Sequence, residues 1–108
     1  MQLLHQREAE GRERRERDRI SARGRLQEVL SRYLAGHEVF LFGSITRPGA
    51  FHGKSDVDLA LAVLPSGRTQ YGLIALLEEE LCRPVDLLLL PETRLRNKIE
   101  REGEKWTV

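Results

Sequence analysis

Glu38-Val39-Phe40-Leu41-Phe42-Gly43-Ser44 and, after ten intervening residues, Ser55-Asp56-Val57-Asp58-Leu59-Ala60-Leu61-Ala62-Val63-Leu64 decide the fold of this chain. The first stretch is a short apolar run of strand-forming residues closed by a glycine, as expected of a strand that ends in a turn. The second alternates over Asp56 to Leu64. Val57, Leu59, Leu61 and Val63 fall on one face of a strand, and Asp56, Asp58, Ala60 and Ala62 on the other. Ser44 to Lys54, with Pro48, Gly49 and Gly53, reads as a loop or short helical connection between them.

On the N-terminal side, Leu26, Val29, Leu30, Tyr33 and Leu34 repeat at i, i+3, i+4, i+7 and i+8. That spacing predicts a helix with one buried face, running to about residue 35 with Gly36 as its C-cap. On the C-terminal side, Thr69 is placed to cap a helix carrying Leu73, Ile74, Leu77 and Leu81, stopped by Arg83-Pro84. Val85 to Leu90 is apolar apart from Asp86, the pattern of a strand covered on both faces. A last helix over about Arg94 to Glu102 sets Leu95 and Ile99 on one side. Gly103 follows, and Trp106 is expected to pack back on the core. The order is α-β-(loop or short α)-β-α-β-α. It predicts an α/β (α+β) fold, a small mixed sheet of about three to four strands with helices packed against it.

The 108 residues fit a single domain, and 40% hydrophobic with 32% charged residues reads as soluble and globular. Within it, residues 1–24 are expected to form a charged helical N-terminal extension and residues 25–108 the domain proper. Residues 7 to 19 are almost all charged, with Glu8-Arg12, Glu10-Arg14 and Glu13-Arg17 as i,i+4 pairs. The reading taken is a solvated helix; an Arg-rich arm that touches RNA or a partner is the alternative. A formal net charge of +1 does not argue for nucleic acid or an anionic membrane as partner. The start, Met1 to Gln6, is too poor in apolar residues for a signal peptide, and no segment approaches a membrane span. A cytoplasmic location is therefore expected. The one cysteine, Cys82, falls in an apolar helical pattern and reads as a small core residue. His5 and His37 carry no site signal, and His52 is a secondary candidate for a ligand contact. Nothing resembles a zinc site or a Ser-His-Asp triad.

Asp56 and Asp58, two apart on a strand, project from the same face. Carboxylates that close repel unless a proton or cation lies between them. Ala60 and Ala62 leave room beside them, and oxygen ligands of this kind suit Mg²⁺ or Mn²⁺. Asp86 is a lone acid within an apolar strand, costly there unless paired or metal-bound. If its strand lies beside that of Asp58, three carboxylates converge, as a metal-dependent phosphoryl-transfer site requires. The alternatives are a solvated Asp-x-Asp edge and an Asp86 paired with Arg83 or Arg94. At Gly43-Ser44 a glycine lets backbone approach a phosphate, and the amides that follow, with the Ser44 hydroxyl, can bind anionic oxygens. Arg47, and less directly Lys54, would offset phosphate charge.

Together, Leu41-Phe42-Gly43-Ser44, Ser55-Asp56-Val57-Asp58-Leu59 and Val85-Asp86-Leu87 resemble the minimal nucleotidyltransferase domains of the DNA polymerase beta superfamily. Ile99-Glu100-Arg101-Glu102-Gly103 is similar to that family's last helix, so the resemblance spans about residues 25 to 106. It implies a polymerase-beta-like palm, with Gly43, Ser44, Arg47 and Ser55 at the nucleotide. It also implies Asp56, Asp58 and Asp86 as catalytic residues and ligands of Mg²⁺ or Mn²⁺. Gly43-Ser44-Ile45-Thr46-Arg47-Pro48-Gly49 departs from the usual Gly-Ser-x-Ala-Arg-Gly: Thr46 stands for alanine and Pro48 is inserted. Since proline lacks an N–H, the phosphate loop is expected to be reshaped.

The implied activity is transfer of a nucleoside monophosphate, AMP from ATP, to an acceptor hydroxyl. Stand-alone domains of this kind resemble the antitoxin of HEPN/minimal nucleotidyltransferase pairs, in which the acceptor lies on a HEPN-type toxin. The alternative is a non-catalytic antitoxin that neutralises a partner by contact alone.

Overall fold

The structure, a computed structural model, describes residues 2–108, with side chains from Arg7 onward. Met1 of the expected extension and the side chain of His5 lie outside the described residues. Three helices and four strands follow in the order α1 (Gln2–Tyr33), β1 (Glu38–Phe42), β2 (Val57–Leu61), α2 (Gln70–Leu81), β3 (Val85–Leu89), α3 (Arg96–Glu102) and β4 (Glu104–Thr107). A single 3₁₀ turn, Gly43–Thr46, follows β1. The strands form one mixed sheet in the order β3-β2-β1-β4, as the α+β reading expects. β1 is antiparallel to β2 and β4, and β2 is parallel to β3.

One sheet face carries the main core. Val39, Leu41, Val57, Leu59, Leu61, Val85 and Leu87 meet Leu26, Val29, Leu30 and Leu34 from the first helical segment and Leu73 and Leu77 from α2. The predicted stripes therefore bury, and α1 docks by its second half. Thr69 caps α2, its hydroxyl accepting from the Gly72 amide at 3.0 Å. The other face is covered only in part. There Ala60, Leu90 and Ile99 form a small buried cluster edged by Phe40, Phe42 and Leu88, with α3 lying on β1. Helices thus lie on both faces.

Several expectations need correction. β2 stops at Leu61, and Val63 is 64% exposed. The register with β1 and with β3 ends there, at Val39 and Leu89. β3 is an edge strand rather than a fully covered one, and Asp86 is exposed. Cys82 is exposed, not core. It is the C-cap of α2 in the left-handed conformation (φ 55), because Pro84 bars helix from the residue before it. The last helix begins at Arg96, leaving Leu95 46% exposed while Ile99 buries. Trp106 does lie against the core, but on a fourth strand paired to β1 through Val39. Gly103 permits that reversal: a Cβ there would stand 2.5 Å from the Ile99 carbonyl oxygen and 3.1 Å from that of Leu41. None of the expected i,i+4 pairs of the extension closes among the described residues; Arg19 pairs with Glu16 instead, at 2.8 Å.

Candidate active site

Strand register builds the site. Phe42 is opposite Asp58 across the β1–β2 pair, and Asp58 is opposite Asp86 across β2–β3. Residues at even positions of β2 turn to the face away from α1 and α2, where Ala60 lies in the small cluster. Asp58 and Asp86 therefore stand side by side on the less covered face, with Asp56 just before β2. The pairing of β2 with β3 brings two of the three aspartates, Asp58 and Asp86, side by side.

Asp58 is half-buried, whereas Asp56 and Asp86 are exposed. The Asp58 carboxyl is pushed up to about 6, chiefly by burial, then by the charge of Asp86 and of Asp56. Among the described residues, no basic side chain is ion-paired to any of the three. Arg83, a candidate partner for Asp86, is committed elsewhere. Its guanidinium donates to the carbonyls of His52 at 3.2 Å and Ser55 at 2.9 Å, and lies 4.5 Å from the Phe51 ring centroid. Asp58 and Asp86 thus place unpaired carboxylate oxygens side by side, donors of a type that hard divalent cations accept. Among the described residues, no three acidic, histidine or cysteine side chains are gathered closely enough to hold an ion unaided.

Gly43 touches this group directly. Its φ is +74, and a Cβ built on it would lie 2.2 Å from Asp58 Oδ2. Only glycine gives both the left-handed turn and room for the carboxylate. Ser44 follows within the 3₁₀ turn and is half-buried. Ile45 is fully buried and pins that turn to the core. Thr46, in the place of the usual alanine, braces it by donating its hydroxyl to the Gly43 carbonyl at 2.7 Å.

Beside the carboxylates, rather than over them, opens a cleft of about 680 Å³. Gly43 and Phe42 belong to both regions. Its apolar walls include Pro48, Leu95 and Ile99, and its charged rim includes Arg47, Lys98 and Glu102. Arg47 and Lys98 make no ion pair among the described residues, so the rim presents free positive charge. This volume is in the range of a small-molecule site.

The remaining candidates are used within the connecting loop. Ser55 is 8% exposed, and its hydroxyl accepts from the His52 amide at 3.0 Å. His52 Nδ1 accepts from the Lys54 amide at 3.1 Å. These bonds, with the fully buried Phe51 and with Arg83, fix the approach of the chain to Asp56. Sequence reasoning missed Phe51, Lys98 and Arg83 in these places. Arg83 carries no local signal because the carbonyls it binds lie some thirty residues away, and Lys98 meets the cleft only through the docking of α3.

A family model described as a nucleotidyltransferase domain matches residues 23–106, most of the chain. Neither a curated protein nor a solved structure matches it.

Proposed function

This chain belongs to the nucleotidyltransferase domain family, and on that premise we propose that it transfers AMP from ATP to a hydroxyl on a protein partner. The observation that carries the reading is the contact of Gly43 with Asp58, in register with Asp86. It joins a phosphate-type turn to an unpaired carboxylate group in one place.

In this reading the Gly43 backbone and the Ser44 hydroxyl meet the triphosphate, Arg47 offsets its charge, and the adjoining cleft takes the nucleoside. The acceptor oxygen attacks the α-phosphorus, a new P–O bond forms, and pyrophosphate leaves. The hydroxyl proton passes to a carboxylate, for which exposed Asp86 at the sheet edge is suited. Mg²⁺, or Mn²⁺ in its place, held by Asp56, Asp58 and Asp86, would supply charge neutralisation at the phosphates and activation of the acceptor oxygen. Ser55 serves the nucleotide indirectly, by holding the loop that leads into Asp56. A HEPN-type protein as acceptor is supported by the family resemblance alone.

The test is incubation with labelled ATP, Mg²⁺ and the candidate partner. Label should appear on the partner and be lost with Asp56→Asn and Asp58→Asn. Undiminished labelling would sink the assigned role of the aspartates. Tight binding without ATP, with the aspartate variants fully neutralising, would identify a contact antitoxin instead.

A further inference from the structure

Arg15, Arg19 and Arg23 recur every four residues and so lie on one face of α1. That face meets the turn that follows β1. Arg15 Nε donates to the Gly49 carbonyl at 2.7 Å, and Arg19 Nη1 to the Ile45 carbonyl at 3.1 Å. Arg23 Nη1 reaches the same Ile45 oxygen at 3.5 Å. Each of the last two arginines is held in turn. Glu16 fixes Arg19 through both Nε and Nη2, at 2.8 to 3.2 Å. Glu104 on β4 takes Arg23 in a two-pronged pair at 2.6 and 2.7 Å, and the same guanidinium lies 5.2 Å from the Trp106 ring centroid. These pairs keep the Glu16 and Glu104 carboxyls below the usual range.

By contrast, the turn's own bonds are short-range: the Arg47 amide to Ser44, the Ala50 amide to Arg47, and Thr46 to Gly43. Its long-range polar anchors come from α1. We propose that Arg15, Arg19 and Arg23 are positioning residues that clamp the Ile45 and Gly49 carbonyls, so that Gly43, Ser44 and Arg47 are preset for a nucleoside triphosphate. Occupying those carbonyls also removes acceptor oxygens that would repel phosphate. The geometry explains how a turn containing Pro48 keeps one conformation, with an N–H fewer to fasten it. Arg15 and Arg19 precede residue 23, where the family match begins, so two of the three clamping arginines lie outside the matched domain. The substrate named here rests on the nucleotidyl-transfer reading; the clamp itself does not.

The experiment compares full-length wild type with R15Q/R19Q, with R15K/R19K, and with R12Q/R17Q, which alters two exposed arginines of the same helix. Amide exchange over residues 43–50 is measured without nucleotide, and kcat and KM for ATP are measured in the transfer assay. In R15Q/R19Q, exchange at 43–50 should rise about tenfold, as local opening becomes easier, while the core amides keep their protection. KM should rise about 5- to 10-fold, with kcat within about twofold, because the loss is in presetting the binding turn. The lysine pair should fall between, since an ammonium keeps the charge without the planar fork. R12Q/R17Q should match wild type. Unchanged exchange in R15Q/R19Q, or faster exchange with unchanged KM, overturns the proposal. If wild type transfers no nucleotide, faster exchange still supports the clamp and only the transfer reading falls. Should R15Q/R19Q not fold, the lysine pair carries the same comparison.

Discussion

At the scale of single residues, Gly43 and Asp58 constrain each other. Gly43→Ala must place a Cβ where Asp58 Oδ2 now sits, at a backbone φ of +74. The left-handed conformation costs about 1–2 kcal/mol for a residue with a Cβ. The carboxylate is the free end of a side chain and can swing aside. The fold should therefore survive with a modest loss in thermal stability, while transfer falls about 100-fold because a ligand group is displaced. A thermal melt beside a transfer assay separates the two effects; wild-type rates in the alanine variant would refute the contact. Asp58 also gives a signed pH dependence. Its folded pKa, about 6, lies above the ordinary 3.8. The folded state therefore holds this proton more tightly, and the associated stability is present below pH 3.8 and lost as pH rises through about 6. Metal-free wild type should lose stability relative to Asp58→Asn across that window, and at pH 7.5 the asparagine variant should melt higher. Added Mn²⁺ should raise the melting temperature of wild type but not of the variant. Parallel melting curves for the two proteins from pH 4 to 7 would contradict the assigned shift.

At the scale of elements, α2 and the β4 return show two different kinds of dependence. The cap of α2 is local: Thr69 accepts from Gly72, and Leu73 and Leu77 one and two turns on are fully buried. Thr69→Ala should cost about 1 kcal/mol by chemical denaturation and leave transfer unchanged, since no site residue lies on that helix. A comparable loss of activity would show that α2 communicates with the site. β4 depends on long-range contacts. It is joined to α3 at Gly103, which packs against two carbonyls, and its Glu104 holds Arg23 across 81 residues of sequence. The element is too short, at four residues, to show a strand period, and its place follows from its antiparallel pairing with β1.

At the scale of the molecule, the long helix and the sheet act as one body. α1 runs 32 residues, about 48 Å of helix, and accounts for most of the 55 Å long axis. Its second half supplies core and its first half reaches the turn beside the site. A nucleotide bound at that turn stabilises everything attached to it. At Mg²⁺-ATP one hundredfold above its dissociation constant, stability should increase by about 2.7 kcal/mol. For a domain of this size that is a rise in melting temperature of roughly 10–20 °C. No shift at saturating nucleotide would remove the binding reading for the cleft and turn together. No helix among the described residues is long and apolar enough to cross a membrane.

Local pattern determined the docked half of α1 and α2, because the buried stripe of Leu26, Val29 and Leu30 and the cap at Thr69 are relations within a few residues. β1 was legible as a short apolar run closed by Gly43, and β2 by the period of two written in its sequence. Strand order was not. That β3 is the sheet edge, and Asp86 exposed in place of buried, follows from which strands pair, a relation between residues nearly thirty apart. The same holds for Cys82, whose apolar surroundings in sequence gave way to a helix end forced by Pro84. Pairing also decided the candidate site. Gly43 and Asp58 are each recognisable by type, but only the antiparallel register of Phe42 with Asp58 presses one against the other. Tertiary structure likewise gave a use to the charged helix that patterning left without one. Arg15, Arg19 and Arg23 have no apolar stripe to announce them, and their partners are backbone carbonyls, which carry no side-chain identity for a sequence to display.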